Sequence, residues 1–130
     1  MGAKVLAIAN QKGGVGKTTT SITLSSALAR MGKRILVLDL DPHACATLHA
    51  RIYPEGITCS LHDLFLAQEE TWPAIWPELI HKGALPGVDV APGSIRLSEL
   101  EVDFRERQAK GSVLLRSIAH LRDSYDYIIL

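Results

Sequence analysis

One short segment constrains the fold of this chain more than any other: a glycine-rich stretch between an apolar run and a segment with helical spacing. The apolar run is Val5 to Ala9, and the helical segment is Lys17 to Met31. The stretch that joins them contains Lys12, Gly13, Gly14, Val15, Gly16, Lys17, Thr18 and Thr19. Glycines let the backbone fold around an anion with its N–H groups pointing inward, and the following helix adds the positive end of its dipole. The segment therefore predicts a phosphate-binding loop between a strand and a helix.

Two residues of this loop carry groups that a bound phosphate chain requires. Lys17 offers a positive charge to the β- and γ-phosphates, and the Thr18 hydroxyl is a suitable ligand for Mg²⁺. A plain glycine turn beside exposed lysines is the alternative. It accounts for the turn, but not for two lysines and paired threonines together in this strand-to-helix context. The sequence therefore predicts that this loop binds phosphate.

A second apolar run follows the helical segment and sets the expected fold class. It extends from Ile35 to Leu40, and Gly32 is placed to end the helix before it in a left-handed conformation. Apolar runs without alternation are typical of strands buried on both faces. Strand, glycine loop, helix and strand in this order indicate a right-handed βαβ unit. We therefore expect an α/β fold with a mostly parallel sheet, helices on both faces and the phosphate loop after the first strand.

The remaining elements have weaker signals. Helices are predicted over Ser60 to Gln68, Trp76 to His81, from Ile95 onward and over Gly111 to Asp123, and strands over Val88 to Ala91 and Tyr125 to Leu130. The segment before Trp76 is expected to be a loop. Trp72 and Trp76 are expected to pack as a local staple over the core, with a partner-binding knob as the alternative.

Length, charge and cysteine content limit the class of protein. A chain of 130 residues can bury the core of one domain but not of two. Its 14 Lys and Arg balance 14 Asp and Glu, so the overall charge gives no reason to expect a nucleic-acid or anionic-membrane partner. Two cysteines, no long apolar run and no signal-peptide pattern lead us to expect a cytoplasmic protein. Because the last strand stops at Leu130, residues 1–130 are expected to be the N-terminal portion of a longer single domain.

The glycine loop departs from the common phosphate-loop pattern G-x-x-x-x-G-K-[ST] in a specific way. Gln11 stands at the first glycine position, and Lys12 follows it. This K-G-G-x-G-K-T form resembles the deviant Walker A loop of the ParA/MinD family of P-loop ATPases. The resemblance implies a P-loop NTPase fold, ATP and Mg²⁺ as cofactors, and a Lys12 that reaches across a dimer to the partner's nucleotide. A cation aimed at developing phosphate charge would act there as an arginine finger does.

Two carboxylates follow the second strand. Asp39 and Asp41 project on one side near the carboxyl end of that strand, where ligands bind in parallel sheets. A simple strand-ending turn is the alternative. The stretch from Asp39 to Thr47 resembles the D-x-D-P-Q-x-N-x-T segment of ParA/Soj partition ATPases, which implies that Asp41 positions the attacking water and Asp39 supports the Mg²⁺ shell. His43 and Cys45 replace the glutamine and asparagine of that segment, so contacts made by those amides in relatives are not expected here.

The resemblance covers essentially the whole chain. Residues 90–101 also match a segment of the family, and the closing strand is similar to its Walker B strand. The resemblance implies a ParA/Soj-like, Mg²⁺-dependent ATPase of chromosome or plasmid partitioning. Such a protein forms a homodimer through sandwiched ATP, binds DNA non-specifically at full length, responds to a ParB-like activator, and is cytoplasmic or nucleoid-associated with no membrane attachment. The alternatives are a MinD-like or other cargo-positioning ATPase, and a nucleotide-binding fragment without turnover.

Overall fold

The computed structural model describes residues 2–6, 17–40, 45–53, 57, 59–93 and 110–130. Within these residues strands and helices alternate along much of the chain, which is the organisation of an α/β protein. The elements in chain order are β1 (Lys4–Leu6), α1 (Lys17–Arg30), β2 (Ile35–Leu38), α2 (Cys45–His49), α3 (Leu61–Leu66), a 3₁₀ turn (Glu69–Thr71), α4 (Trp72–Leu79), β3 (His81–Leu85), β4 (Val88–Ala91), α5 (Lys110–Ala119) and β5 (Tyr127–Ile129).

The strands form one five-stranded sheet in the order β1-β5-β2-β4-β3. The β1–β5, β5–β2 and β2–β4 pairs are parallel, whereas the edge strand β3 pairs antiparallel with β4. The central strand β2 is buried along its whole length, as its unbroken apolar run predicts. The predicted α/β fold with a mostly parallel sheet is therefore confirmed.

Helices cover both faces of the sheet, which is also as predicted. One face packs against α3, α4 and α5, and its buried strand residues are Leu36, Leu38, Ala91 and Ile128. The opposite face packs against α1, and its buried strand residues are Ile35, Val37, Val88, Val90 and Ile129. Because side chains alternate between faces along a strand, consecutive apolar residues in β2 and β4 contribute to both cores.

Helix α1 ends before Gly32 as predicted, with Met31 outside its last turn. Gly32 has a φ of 82°, and the N–H groups of Gly32 and Lys33 donate to the carbonyls of Ala29 and Leu28, which is a Schellman ending. Met31, the last residue of the predicted helical segment, lies in this turn beyond the last helical residue and is 70% exposed.

The buried side of α1 combines small polar residues with leucines. Ser21 and Ser25 are buried, and Leu24 and Leu28 pack against the sheet beside them. The Ser25 hydroxyl donates to the carbonyl of Ser21 one turn earlier. Serine is tolerated there because that bond satisfies its hydroxyl within the helix.

The prediction was also wrong between the helix predicted over Ser60 to Gln68 and the strand predicted over Val88 to Ala91. Helix α4 begins at Trp72, not near Trp76, and Pro73 lies in its first turn, where a missing N–H costs nothing. His81, predicted to end that helix, opens strand β3. β3 and β4 are joined by the two-residue turn Pro86-Gly87, and Gly87 has a φ of 73°. This hairpin was not predicted, because Gly83 and a register irregularity interrupt the alternation of β3.

The two tryptophans form the local staple that the sequence predicts. Trp72 and Trp76 are each only 2% exposed. The Trp72 indole N–H donates to the Leu64 carbonyl at 3.2 Å, and that of Trp76 donates to the Ser117 carbonyl at 2.9 Å. Helix α4 is thereby tied to both α3 and α5. The helix predicted from Ile95 lies outside the described residues, and α5 ends at Ala119 because turns occupy residues 120–124.

Candidate functional site

The candidate site lies at the carboxyl edge of the parallel strands, and the direction of α1 follows from its other end. A methyl group on Gly87 would lie 3.1 Å from the Ala29 Cβ near the end of α1. Gly87 immediately precedes β4, so it marks the amino edge of that strand. Helix α1 has 14 residues and therefore extends about 20 Å back across the sheet. Its amino end, beginning at Lys17, is directed to the carboxyl edge.

Some of the predicted phosphate-loop and carboxylate residues lie within the described ranges, and the others lie outside them. Lys17, Thr18 and Thr19 are the first three residues of α1, as the sequence predicts, and only their backbone is described. The residues outside the described ranges are Lys12, Gly13, Gly14, Val15, Gly16 and Asp41. The first turn of a helix leaves backbone N–H groups without intrahelical partners and carries the positive dipole end. A helix start at Lys17 therefore puts these groups where the predicted loop requires them.

Asp39 is the predicted site residue that the structure describes in most detail. It directly follows β2, is 4% exposed, and its backbone N–H donates to the Ala91 carbonyl at 3.1 Å. Its Oδ2 accepts two hydrogen bonds from Thr47, one from the backbone N–H at 2.7 Å and one from the hydroxyl at 2.6 Å. The carboxylate therefore lies at the carboxyl edge with one oxygen held by α2.

Thr47 is the residue of this edge whose role sequence reasoning missed. It is 1% exposed, and its Oγ1 also accepts a hydrogen bond from the Gly93 N–H at 2.8 Å. Next to Gly93, the Pro92 carbonyl accepts from the Leu61 N–H at 3.2 Å, which brings in the start of α3. The available signal was the position of Thr47 at the end of the D-x-D-P-Q-x-N-x-T match, which by itself assigns Thr47 no role.

Three side chains of the described residues have shifted pKa values, and two of them lie at the opposite edge of the sheet. Burial raises the pKa of the Cys59 thiol, and the negative charges of Asp63 and Glu78 raise it further, which keeps that thiol protonated. Tyr125 and Asp126 precede β5 and so lie at the amino edge. Burial, and then the hydrogen bond that its hydroxyl donates to Asp89, raises the pKa of Tyr125.

Two other features, a membrane-spanning helix and a metal-binding cluster, are absent from the described residues. None of the helices described is long and apolar enough to cross a membrane. In the same parts of the chain, no group of three or more His, Cys, Asp and Glu side chains is arranged to hold a metal ion.

Comparison with known families identifies the type of domain. The family model AAA_31, an AAA domain, matches residues 3–130. The chain belongs to this family. AAA_31 is a ParA/MinD-type P-loop domain, so the resemblance that rests on Lys12 and on the Asp39–Thr47 stretch is confirmed at the level of the family.

Curated relatives of this AAA_31 chain include Soj and ParA. The sporulation initiation inhibitor protein Soj of Bacillus subtilis is 34% identical over 127 residues, which is 98% of this chain and 48% of Soj. The chromosome partitioning protein ParA of Caulobacter vibrioides is 35% identical over 129 residues, which is 98% of this chain and 46% of ParA. The chain spans about half the length of the curated relatives it matches.

A solved structure shares the AAA_31 architecture closely. Cobyrinic acid a,c-diamide synthase from Mycobacterium smegmatis, crystallised with ADP and magnesium, superposes with a TM-score of 0.83 at 32% identity. The match covers 98% of this chain and 49% of that protein. The P-loop NTPase fold of this chain is therefore shared with a protein that holds a nucleotide and magnesium.

Proposed function

We propose that this chain forms the nucleotide-binding part of a Mg²⁺-dependent ATPase of the ParA/Soj type. The observation that carries the proposal is the direction of α1, whose first turn begins at Lys17 and faces the carboxyl edge where Asp39 is buried. Ligands of open parallel sheets bind at that edge, and phosphate groups bind at helix amino ends. The similarity to Soj and to ParA supports the choice of ATPase class.

In this proposal the loop binds the phosphate chain of ATP. The backbone N–H groups of Gly13 to Gly16 surround the phosphates, and Lys17 neutralises charge on their oxygens. Thr19 contributes to nucleotide binding at the start of α1. Lys12 extends to the nucleotide of the partner in a homodimer with sandwiched ATP, where its charge opposes the negative charge that develops during phosphoryl transfer.

The carboxylates serve the metal and the water. Mg²⁺ in nucleotide sites keeps several waters and takes few protein ligands besides phosphate oxygens. Thr18 fits as the direct ligand. Asp39 fits as an outer carboxylate that accepts from metal-bound water, because it is buried at this edge with one oxygen already oriented by Thr47. Bound Mg²⁺ would supply charge neutralisation of the phosphates. Asp41, two residues on, orients the attacking water.

The wider role follows from the relatives. We propose partitioning of a chromosome or plasmid, or positioning of another cargo, by a cytoplasmic protein that associates with the nucleoid. ATP-dependent dimerisation, non-specific DNA binding and stimulation by a ParB-like protein belong to this proposal. The similarity to the diamide synthase favours one other candidate, a nucleotide- and magnesium-binding domain of a diamide synthase.

The test is steady-state ATP hydrolysis by the protein at the full length encoded by its gene, with nucleotide binding measured in parallel. Slow hydrolysis that needs Mg²⁺ and is lost in both Lys12→Ala and Lys17→Ala supports the proposal. Lys33→Ala is the matched control, because Lys33 is exposed just beyond the far end of α1. If Lys12→Ala hydrolyses ATP as fast as the parent, the dimeric ParA-type assignment is wrong, and only a generic nucleotide-binding P-loop domain is left.

A further inference from the structure

We propose that Thr47 is a positioning residue that fixes the carboxylate of Asp39 at the carboxyl edge of the sheet. The proposal rests on the ATPase function proposed above and assigns one more residue to it. Thr47 is nearly inaccessible to solvent, and its backbone and hydroxyl together make three hydrogen bonds to two other segments. None of these bonds is needed to form the sheet.

The donor and acceptor chemistry gives each of these bonds one direction. The Gly93 N–H can only donate, so the Thr47 oxygen is its acceptor at 2.8 Å. The single hydroxyl proton of Thr47 is then directed to Asp39 Oδ2 at 2.6 Å, since a carboxylate oxygen accepts. The backbone N–H of Thr47 donates to the same Oδ2 at 2.7 Å. Thr47 therefore joins the end of β2 to the residue that follows Pro92 after β4.

The backbone bond also stabilises the start of α2. Thr47 is the third residue of that helix, and its N–H is one of the donors that have no acceptor inside the helix. Asp39 supplies the acceptor from outside the helix, and a negative group is favoured at a helix amino end. A helix of five residues has little stability of its own. The burial of Ala46 and the bonds to Asp39 together fix its position.

These bonds hold Asp39 through a residue that is itself held. Thr47 donates two hydrogen bonds to Asp39 Oδ2, and the bond from Gly93 ties Thr47 in turn to the residue that follows Pro92 after β4. A carboxylate that accepts from metal-bound water has to keep its position, because small displacements of positioned groups cost large factors in rate.

The test compares Thr47→Val with Thr47→Ser at the full length encoded by the gene. Valine keeps the shape and the backbone N–H but removes the hydroxyl, whereas serine keeps the hydroxyl. Thr47→Val is expected to lower kcat for ATP hydrolysis by roughly tenfold to a hundredfold, while the Kd for a fluorescent ATP analogue changes by less than about twofold. Thr47→Ser is expected to recover most of the rate.

Two further measurements separate positioning from general damage. Thr71→Val makes the same chemical change at an exposed threonine whose hydroxyl donates only to the nearby Gln68 carbonyl, and it should leave kcat unchanged. In hydrogen–deuterium exchange, the Gly93 amide should exchange faster in Thr47→Val than in the parent, with or without nucleotide. Rates are compared at a temperature where circular dichroism shows each variant folded, and Thr47→Ala replaces the valine variant if that one does not fold.

These outcomes separate the positioning role of Thr47 from the proposed ATPase function. If the parent hydrolyses ATP and Thr47→Val retains its kcat within about twofold, Thr47 has no positioning role and this inference is overturned while the ATPase function stands. The same conclusion follows if Thr47→Ser loses as much rate as Thr47→Val. If the parent hydrolyses no ATP under any condition, the proposed function fails and the positioning role fails with it.

Discussion

Gly87 allows α1 to approach the β3–β4 turn closely, and substituting it tests how little space that contact leaves. Its φ is 73°, and an added methyl group would lie 3.1 Å from the Ala29 Cβ. We expect Gly87→Ala to lower the free energy of unfolding by about 2–4 kcal/mol. Roughly 1 kcal/mol is the cost of a left-handed alanine after the gain from a stiffer unfolded chain. The remaining part, about 1–3 kcal/mol, is crowding against α1.

Two other glycines provide matched controls for the backbone part of this cost. Gly32 and Gly83 have φ values of 82° and 64°, and an added methyl group at either would meet no atom within 4 Å. Each alanine variant should therefore lose only about 1 kcal/mol. Urea denaturation followed by tryptophan fluorescence is a direct assay, because both tryptophans of the chain are buried.

A double substitution isolates the contact itself. Ala29→Gly removes the methyl group that Gly87→Ala would meet, at its own cost of about 1 kcal/mol in helix propensity. The double variant should be more stable than the sum of the two single effects by about 1 kcal/mol or more. If Gly87→Ala is no more destabilising than Gly32→Ala, or if the two changes simply add, the helix does not rest on this turn and its inferred direction loses its support.

Two other predictions concern packing and pH. Trp76→Phe removes the indole N–H that bonds the Ser117 carbonyl, so the free energy of unfolding in urea should fall by about 1–2 kcal/mol, and an unchanged midpoint would contradict the staple. The backbone N–H of Arg34, and then its guanidinium, lower the pKa of Asp126. Because a lowered carboxyl pKa stabilises the fold above the unfolded value of about 3.9 and loses that effect below it, Asp126→Asn should flatten the acid limb of urea midpoints measured from pH 2 to 7.

The parts of the fold that could be predicted are those with strong local chemistry. The run Ile35 to Leu40 has no polar interruption before Asp39, so it indicated a strand buried on both faces. Gly32 was identifiable as a helix end because it follows a long helical pattern and can adopt a positive φ. The start of α1 at Lys17 followed from the glycines before it. In each case a short stretch of sequence decided the local structure.

The parts that could not be predicted depend on contacts between distant segments. Strand β3 has a glycine with positive φ and a polar, partly exposed sequence, so only its pairing with β4 identifies it as a strand. The early start of α4 depends on burying Trp72, which requires α3 to be in place. The partner of Asp39 was also hidden, because no spacing rule relates a carboxylate to a threonine eight positions later in another element.

The proposed site is set by restraints at both ends of the first βαβ unit. At the amino edge, the Schellman ending at Gly32 and the close approach of Gly87 fix the far end of α1. At the carboxyl edge, Thr47 binds the Asp39 carboxylate that follows β2. In the function we propose, a phosphate group at the amino end of α1 and the carboxylate of Asp39 have to meet in one geometry, so the helix and the carboxylate must both be positioned against the same sheet. The two restraints lie at opposite edges of that sheet. Variants at the far end of α1 are therefore expected to act on where phosphate binds, whereas variants at Thr47 are expected to act on Asp39.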